Sequence, residues 1–225
     1  MQRLPVAACR RTKISAIRGA CAANSSQLAM TRDRSDSERC PHRSGCTSVG
    51  CVLLTAAGAV LLLVDFQQRL VPAIHDGDTV VARAVRLAEA AQLLGVPVCA
   101  TEQYPTGLGP TVAELAGYPQ NVVAKTTFSG VADPTLLPPA AREIVVGGVE
   151  AHVCVLQTVA DLLAGEHRVV VVADAVGSRD PANRDAALER MRAHGAEIVT
   201  SEMVLFEWLR DSMHPRFREV QKLLR

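Results

Sequence analysis

Three side chains at the ends of apolar runs carry the chemistry this sequence can offer: Asp65, Lys125 and Cys154. Cys154 lies in EIVVGGVEAHVCVLQTVADLL (143–163), where Ile144–Val146 reads as a strand buried on both faces and Gly147–Gly148 as its break. From Ala151 onward Val155, Val159, Leu162 and Leu163 recur at helical spacing, so the cysteine falls in a first helical turn beyond the carboxyl end of a parallel strand. Unpaired N–H groups and the positive end of a helix dipole favour a thiolate there. In open α/β sheets this edge is also where ligands bind. A packed, inert cysteine is the other reading of the same position.

Lys125 is notable by composition. The chain has 24 Lys and Arg, of which only Lys13, Lys125 and Lys222 are lysines. A lone lysine after Val122–Val123–Ala124 suggests a place where an amine of tunable pKa serves better than a guanidinium; a chance surface lysine is the alternative. Asp65 ends the run Ala59–Val64, where an unpaired carboxylate is costly to bury, so it either pairs with a cation or faces a polar cleft. A thiol nucleophile needs a base for its proton and a cation or dipole for its charge. Asp65 suits the first role, and Lys125 with the helix start suits the second.

The elements that must position these groups alternate from residue 58. Strands are expected at Ala59–Val64, Val96–Ala100, Asn121–Ala124, Ile144–Val146, Val169–Ala173 and Ala196–Val199. A helix capped by Asp76 or Asp78 should reach Leu94 and be closed by Gly95, burying Val81, Val85, Leu87, Ala88 and Ala91. A short helix is expected near Thr111–Leu115, one from Pro181 to His194, and two more near Met203–Leu209 and Arg216–Leu224. That alternation predicts a three-layer, Rossmann-like α/β fold: a mostly parallel six-stranded sheet with helices on both faces. Trp208 and Phe206 suit packing or a subunit contact, and Cys99 a packed small hydrophobe.

Residues 1–50 read as a separate basic, Cys/Ser-rich extension without hydrophobic period, expected to be disordered, ahead of a domain at 51–225. Residues 1–51 carry nine Arg/Lys against three Asp/Glu, and the rest 15 against 20, which argues against a nucleic-acid surface on the domain. Five of the seven cysteines lie in residues 1–51, where Cys40, His42, Cys46 and Cys51 could bind zinc but lack a CxxC pair. The apolar run Val52–Val64 is too short to span a bilayer. Cys99 and Cys154, both in apolar segments, imply no disulfide framework and a reducing, cytoplasmic setting. The early arginines leave mitochondrial targeting as the alternative.

Together LLLVDFQ (61–67), VVAKTTFSG (122–130) and GGVEAHVCV (147–155) resemble the isochorismatase-like cysteine hydrolase family, over roughly residues 52–225. TEQYPTGLGPTVAEL (101–115) and MHPRFREVQKLL (213–224) resemble its subgroup of isochorismatase domain-containing proteins. The resemblance implies a catalytic triad with Cys154 as nucleophile, Asp65 as general base and Lys125 as the partner of the thiolate. It also implies a cis peptide at Val149–Glu150 that brings the N–H groups of Glu150 and Cys154 together as an oxyanion hole. Members are commonly homo-oligomers, so a dimer or larger assembly is expected.

Departures from the family narrow the expectation. Nicotinamidases carry an aspartate-x-histidine metal motif after the second strand. This chain has TEQYP there and no histidine between His75 and His152, so no metal or other cofactor is expected. Phe66, Glu102, Gln103, Tyr104 and Phe128 are the expected substrate contacts, with no arginine among them although Arg69 is close in sequence. They suit a small neutral amide or imide better than a dicarboxylate vinyl ether of the isochorismatase type. His152, two residues before Cys154, is expected to line the pocket or cap the turn, since i and i+2 point in different directions on a helix. A non-catalytic binding or scaffold protein that keeps the fold is the alternative from another class, and a redox thiol is a third.

Overall fold

The computed structural model describes residues 53–224. The extension at 1–50, with its expected disorder and its Cys40–His42–Cys46–Cys51 zinc set, lies outside the described residues. Six strands form one sheet in the order β3-β2-β1-β4-β5-β6. They are β1 Ala59–Val64, β2 Val98–Gln103, β3 Asn121–Lys125, β4 Glu143–Val149, β5 Arg168–Gly177 and β6 Glu197–Val199. Every neighbouring pair is parallel, a stricter arrangement than the mostly parallel sheet expected. The helices are α1 Gly77–Leu94, α2 Pro105–Leu108, α3 Leu156–Ala164, α4 Pro181–Ala193, α5 Ser201–Leu209 and α6 Phe217–Lys222.

The alternation of β1 divides the core in two. Leu61 and Leu63 face one cluster with Ala84, Leu87 and Ala91 of α1 and Leu205 of α5. Val60, Leu62 and Val64 face the other, with Val155, with Val159 and Leu162 of α3, and with Met191 of α4. A strand clad on both faces has no polar side, which is why it reads as a continuous apolar run. Each such side chain contributes about 1.5–3 kcal/mol on burial. Trp208 is buried in the first cluster, whereas Phe206 stays 43% exposed.

Helix ends follow local chemistry in one case and not in another. Pro181 occupies the first turn of α4, and Asp180 accepts a hydrogen bond from the Ala182 N–H at 2.9 Å. Asp76 precedes α1 but has a left-handed backbone and makes no capping bond, so the side-chain cap expected there is absent. Asp78 in the first turn still complements the helix dipole.

Several expected boundaries move: β2, expected at Val96–Ala100, is Val98–Gln103, because pairing with β1 and β3 carries the strand on past Ala100 to Gln103. Gly147 and Gly148 do not break β4; they pair with Leu63 and Val64 of β1, because ladder bonds need only backbone. Asp174 does not end its strand, since β5 runs on to Gly177 past a register shift opposite Val146–Gly148. Its carboxylate instead accepts from the Ser201 N–H (2.7 Å) and Oγ (2.6 Å) at the start of α5. Residues 111–115 form turns rather than a helix; the helical turn is α2, begun by Pro105. The Thr111 N–H and hydroxyl are both taken by Glu102 Oε1, at 2.7 and 2.8 Å.

Gly148 is the position where the sheet has least room. A Cβ there would stand 2.6 Å from both the carbonyl oxygen and the Cβ of Val64, the residue before Asp65. Gly148→Ala is expected to cost about 1–3 kcal/mol through overpacking. That corresponds to roughly 2–4 °C of melting temperature per kcal/mol for a domain of this size, measurable by calorimetry. An unchanged melting temperature would contradict the close contact.

Candidate active site

Asp65 leaves the end of β1 with φ 54°. The left-handed region costs most L residues about 1–2 kcal/mol and is visited most easily by Asn and Asp. The neighbouring strand secures it: the Asp65 N–H donates to the Thr101 carbonyl at 3.1 Å, and Thr101 Oγ1 donates to Asp65 Oδ1 at 2.7 Å. Lys125 ends β3, two strands away, with β2 between. Its side chain reaches across β2, and Nζ meets Asp65 Oδ2 at 2.7 Å. The side chains of the pair are 4% and 0% exposed.

A lysine ammonium has three N–H donors. Nζ spends them on Asp65 Oδ2, on Gln103 Oε1 at 2.7 Å and on the Thr127 carbonyl at 3.4 Å. An ammonium and a carboxylate are thus held in a nearly dry place, with all three donors of the ammonium and both oxygens of the carboxylate engaged. The apolar leader of Lys125 has a simpler origin than burial of the whole strand. On the sheet edge, Val122 and Ala124 are exposed while Val123 and Lys125 turn inward.

Cys154 completes the group from the other side of β1. After β4 and the cis peptide Val149–Glu150, residues 151–155 form a wide turn in which the Val155 N–H reaches the Glu150 carbonyl at 3.2 Å, five residues back. Such π-type turns are rare and occur often at functional sites. The thiol is 5% exposed. Burial pushes its pKa up to about 12, with the Asp65 carboxylate adding to the rise and Lys125 opposing it. That rise works against the thiolate expected from the helix start. Part of the reason is geometric, since the Val153 and Val155 N–H groups already bind the Glu150 carbonyl.

The expected substrate contacts separate into two kinds. Phe66 is 1% exposed and belongs to the core. Glu102 holds Thr111, and Gln103 binds Lys125 and the Thr126 carbonyl (2.8 Å), so both are structural supports rather than open contacts. Tyr104 and Phe128 remain available, 58% and 51% exposed, on the segments that follow β2 and β3. Tyr104 packs its ring over Gly107, where a Cβ would come within 2.3 Å of Cε1 and the exposed ring would have to move aside.

Arg69 is exposed, and its Nη1 donates to the Gly107 carbonyl at 2.8 Å, a bond to a neutral acceptor that leaves the charge and the other N–H donors of the guanidinium in place. His152 pairs with Ser178 Oγ at 3.0 Å and lines a cavity of about 370 Å³ between α3 and α4. Two supporting residues had no signal in the sequence. Gln67, fully buried, donates to the carbonyls of Gln103 (3.0 Å) and Gly109 (2.6 Å) and accepts from the Gln103 N–H (2.7 Å). Arg179, beyond β5, binds Glu150. Among the described residues no three His, Cys, Asp or Glu side chains form a metal-binding group, and no helix is long and apolar enough to cross a membrane.

Two measurements test this geometry. The alkylation rate of Cys154 by iodoacetamide should rise about tenfold per pH unit from about pH 7 to about pH 10, as the small thiolate fraction grows; a plateau below about pH 8 would contradict the raised pKa. Lys125→Met should lower unfolding stability in urea by about 3–5 kcal/mol, because it strands a buried carboxylate. The double variant with Asp65→Asn should cost less than Lys125→Met alone.

Residues 59–203 match the isochorismatase domain family. The chain is 42% identical over 183 residues to isochorismatase domain-containing protein 2 of Homo sapiens, covering 79% of this chain and 87% of that one. Among solved structures, the MAR1 ribonuclease of Caenorhabditis elegans is 36% identical with TM-score 0.71, covering 77% of this chain and 92% of the other. YcaC of Pseudomonas aeruginosa, solved with hexane-2,5-diol and covalent acrylamide, is 25% identical with TM-score 0.70, covering 78% and 93%. With its all-parallel sheet and these relatives, the chain belongs to the isochorismatase family of hydrolases and has a Rossmann-like α/β fold.

Proposed function

We propose that this protein is a cysteine hydrolase that cleaves the C–N bond of a small amide-like substrate through a thioester on Cys154. The observation that carries the reading is the buried Asp65–Lys125 pair at 2.7 Å beside a thiol that both residues influence. A thiol of pKa about 12 is a poor nucleophile unless its proton leaves as it attacks, and Asp65 is the base placed to take it. Cys154 Sγ bonds to the substrate carbonyl carbon while its proton passes to the Asp65 carboxylate. The C–N bond then breaks, and Asp65 returns the proton to the leaving amine. Water attacks the thioester and gives a proton to Asp65; the C–S bond then breaks, the carboxylic acid leaves, and Asp65 returns the proton to Cys154 Sγ. Lys125 stabilises negative charge on Sγ during both steps, and the backbone N–H groups of Glu150 and Cys154 receive the carbonyl oxyanion.

Tyr104 and Phe128 are the side chains in this reading that meet the substrate. The acidic balance after residue 51, with 15 Lys/Arg against 20 Asp/Glu, favours a small molecule over the nucleic acid implied by the name of the ribonuclease relative. The covalent acrylamide described for YcaC, an amide-bearing electrophile on a relative, supports a reactive nucleophile in this fold. The reading includes a cytoplasmic setting, where the free Cys99 and Cys154 stay reduced, and a homo-oligomer of at least two chains.

A second reading, a binding protein that keeps the fold without turnover, draws on the 5% exposure and raised pKa of the thiol. A panel of small amides and imides, followed by mass spectrometry, separates the two. Turnover with a transient acyl adduct on Cys154 is expected. Cys154→Ala should abolish it, and Asp65→Asn should lower it by about 10²–10⁴-fold. Full activity in Cys154→Ala would overturn the mechanism, and ligand binding without any adduct would favour the binding protein.

A further inference from the structure

The turn that carries Cys154 is tied to the end of β5 at two points. Glu150, 7% exposed, accepts through one oxygen, Oε2, from both the backbone N–H (3.1 Å) and the Nε (2.9 Å) of Arg179. Two residues on, His152 Nδ1 meets Oγ of Ser178, itself 1% exposed, at 3.0 Å. The Glu150 carbonyl in turn holds the Val153 and Val155 N–H groups. A continuous set of bonds therefore runs from Ser178–Arg179 through Glu150 and His152 to the residues on either side of the thiol.

The Arg179 side chain is 65% exposed, and ion pairs with so exposed a partner add little to stability. Its bond has another use. The Glu150 carboxylate is nearly buried, and without the Arg179 side chain it is held there by the Arg179 backbone N–H alone, which loosens the Glu150 side chain and its peptide. Glu150 is the residue whose N–H faces the developing oxyanion in the mechanism above. Ser178 gives the imidazole of His152 a fixed partner on the opposite side of the turn.

We propose that Arg179 and Ser178 are positioning residues, which fix the Glu150 peptide and the following turn so that their N–H groups receive the oxyanion formed when Cys154 attacks a carbonyl. The inference rests on the reading of Cys154 as the nucleophile. It makes a distinction that a purely structural role does not. Attack on a carbonyl builds an oxyanion that these donors must meet. Attack on a saturated carbon builds none.

The test compares two electrophiles on the full chain, with modification of Cys154 followed by peptide-resolved mass spectrometry. With p-nitrophenyl acetate, Sγ bonds to the acetyl carbon, p-nitrophenolate leaves and the thiol proton goes to Asp65. With iodoacetamide, Sγ bonds to the methylene carbon and iodide leaves. Arg179→Ala should slow acetylation by about tenfold or more while alkylation changes by about twofold at most. Arg179→Lys, which keeps a donor for Glu150, should restore most of the difference. Ser178→Ala should act in the same direction more weakly. Equal slowing of both reactions, or no slowing of either, overturns the positioning role. A wild-type protein alkylated but never acetylated at Cys154 overturns the nucleophile reading and this inference together.

Discussion

A buried ammonium and a buried carboxylate cannot be tolerated one at a time. Removing each from water costs several kcal/mol, and their attraction repays this only where the remaining donors and acceptors are also met. The bond between Lys125 and Asp65 is therefore the constraint around which the carboxyl edge of the sheet is organised. Thr101 supplies the second acceptor need of Asp65, Gln103 and Thr127 supply the remaining needs of Lys125, and Gln67 holds Gln103 in place. These residues lie on three adjacent strands or just beyond them. The register that brings Gln103 opposite Lys125, and Thr101 opposite Val64, is the register that makes the pair possible.

The same buried setting bears on the thiol. Burial raises the Cys154 pKa most, the Asp65 carboxylate adds to the rise and Lys125 opposes it. A helix start is weak compensation once its first N–H groups are bound to a carbonyl. The arrangement suits a nucleophile that is generated only in the presence of substrate rather than one held ready. A thiol that stays protonated is also less open to oxidation, since thiolate character governs that reactivity.

Much of the fold was legible because the physics is local and periodic. The both-face burial of β1, the capped start of α4 and the alternation of strand and helix follow from residue patterns that survive without tertiary context. The strand ends were less legible. Gly147 and Gly148 look like breakers in one dimension, but in the sheet they are the residues that let β4 approach Val64. Asp174 looks like a strand terminus until Ser201 is brought to it by the fold. The candidate site was legible at Asp65, Lys125 and Cys154, where a charged or reactive group interrupts an apolar run. It was illegible at Gln67, Ser178 and Arg179, because a surface-typical polar residue gains its role only from the partner that folding brings near. Phe66 shows the converse: proximity in sequence to Asp65 says nothing about which way an alternating chain points.

One feature of the sheet carries a consequence for how the site is lost. Lys125 sits on β3, an edge strand with a single neighbour, and edges open by local fluctuation at lower free energy than a central strand such as β1. The ion pair therefore acts as a clasp between an edge strand and a central strand of the domain. When the edge frays, the ammonium leaves with it, and Asp65 is left charged in a dry place with Thr101 as its remaining side-chain partner. The protein is built so that its chemistry fails before its core does, and so that the same bond that defines the site also closes the sheet.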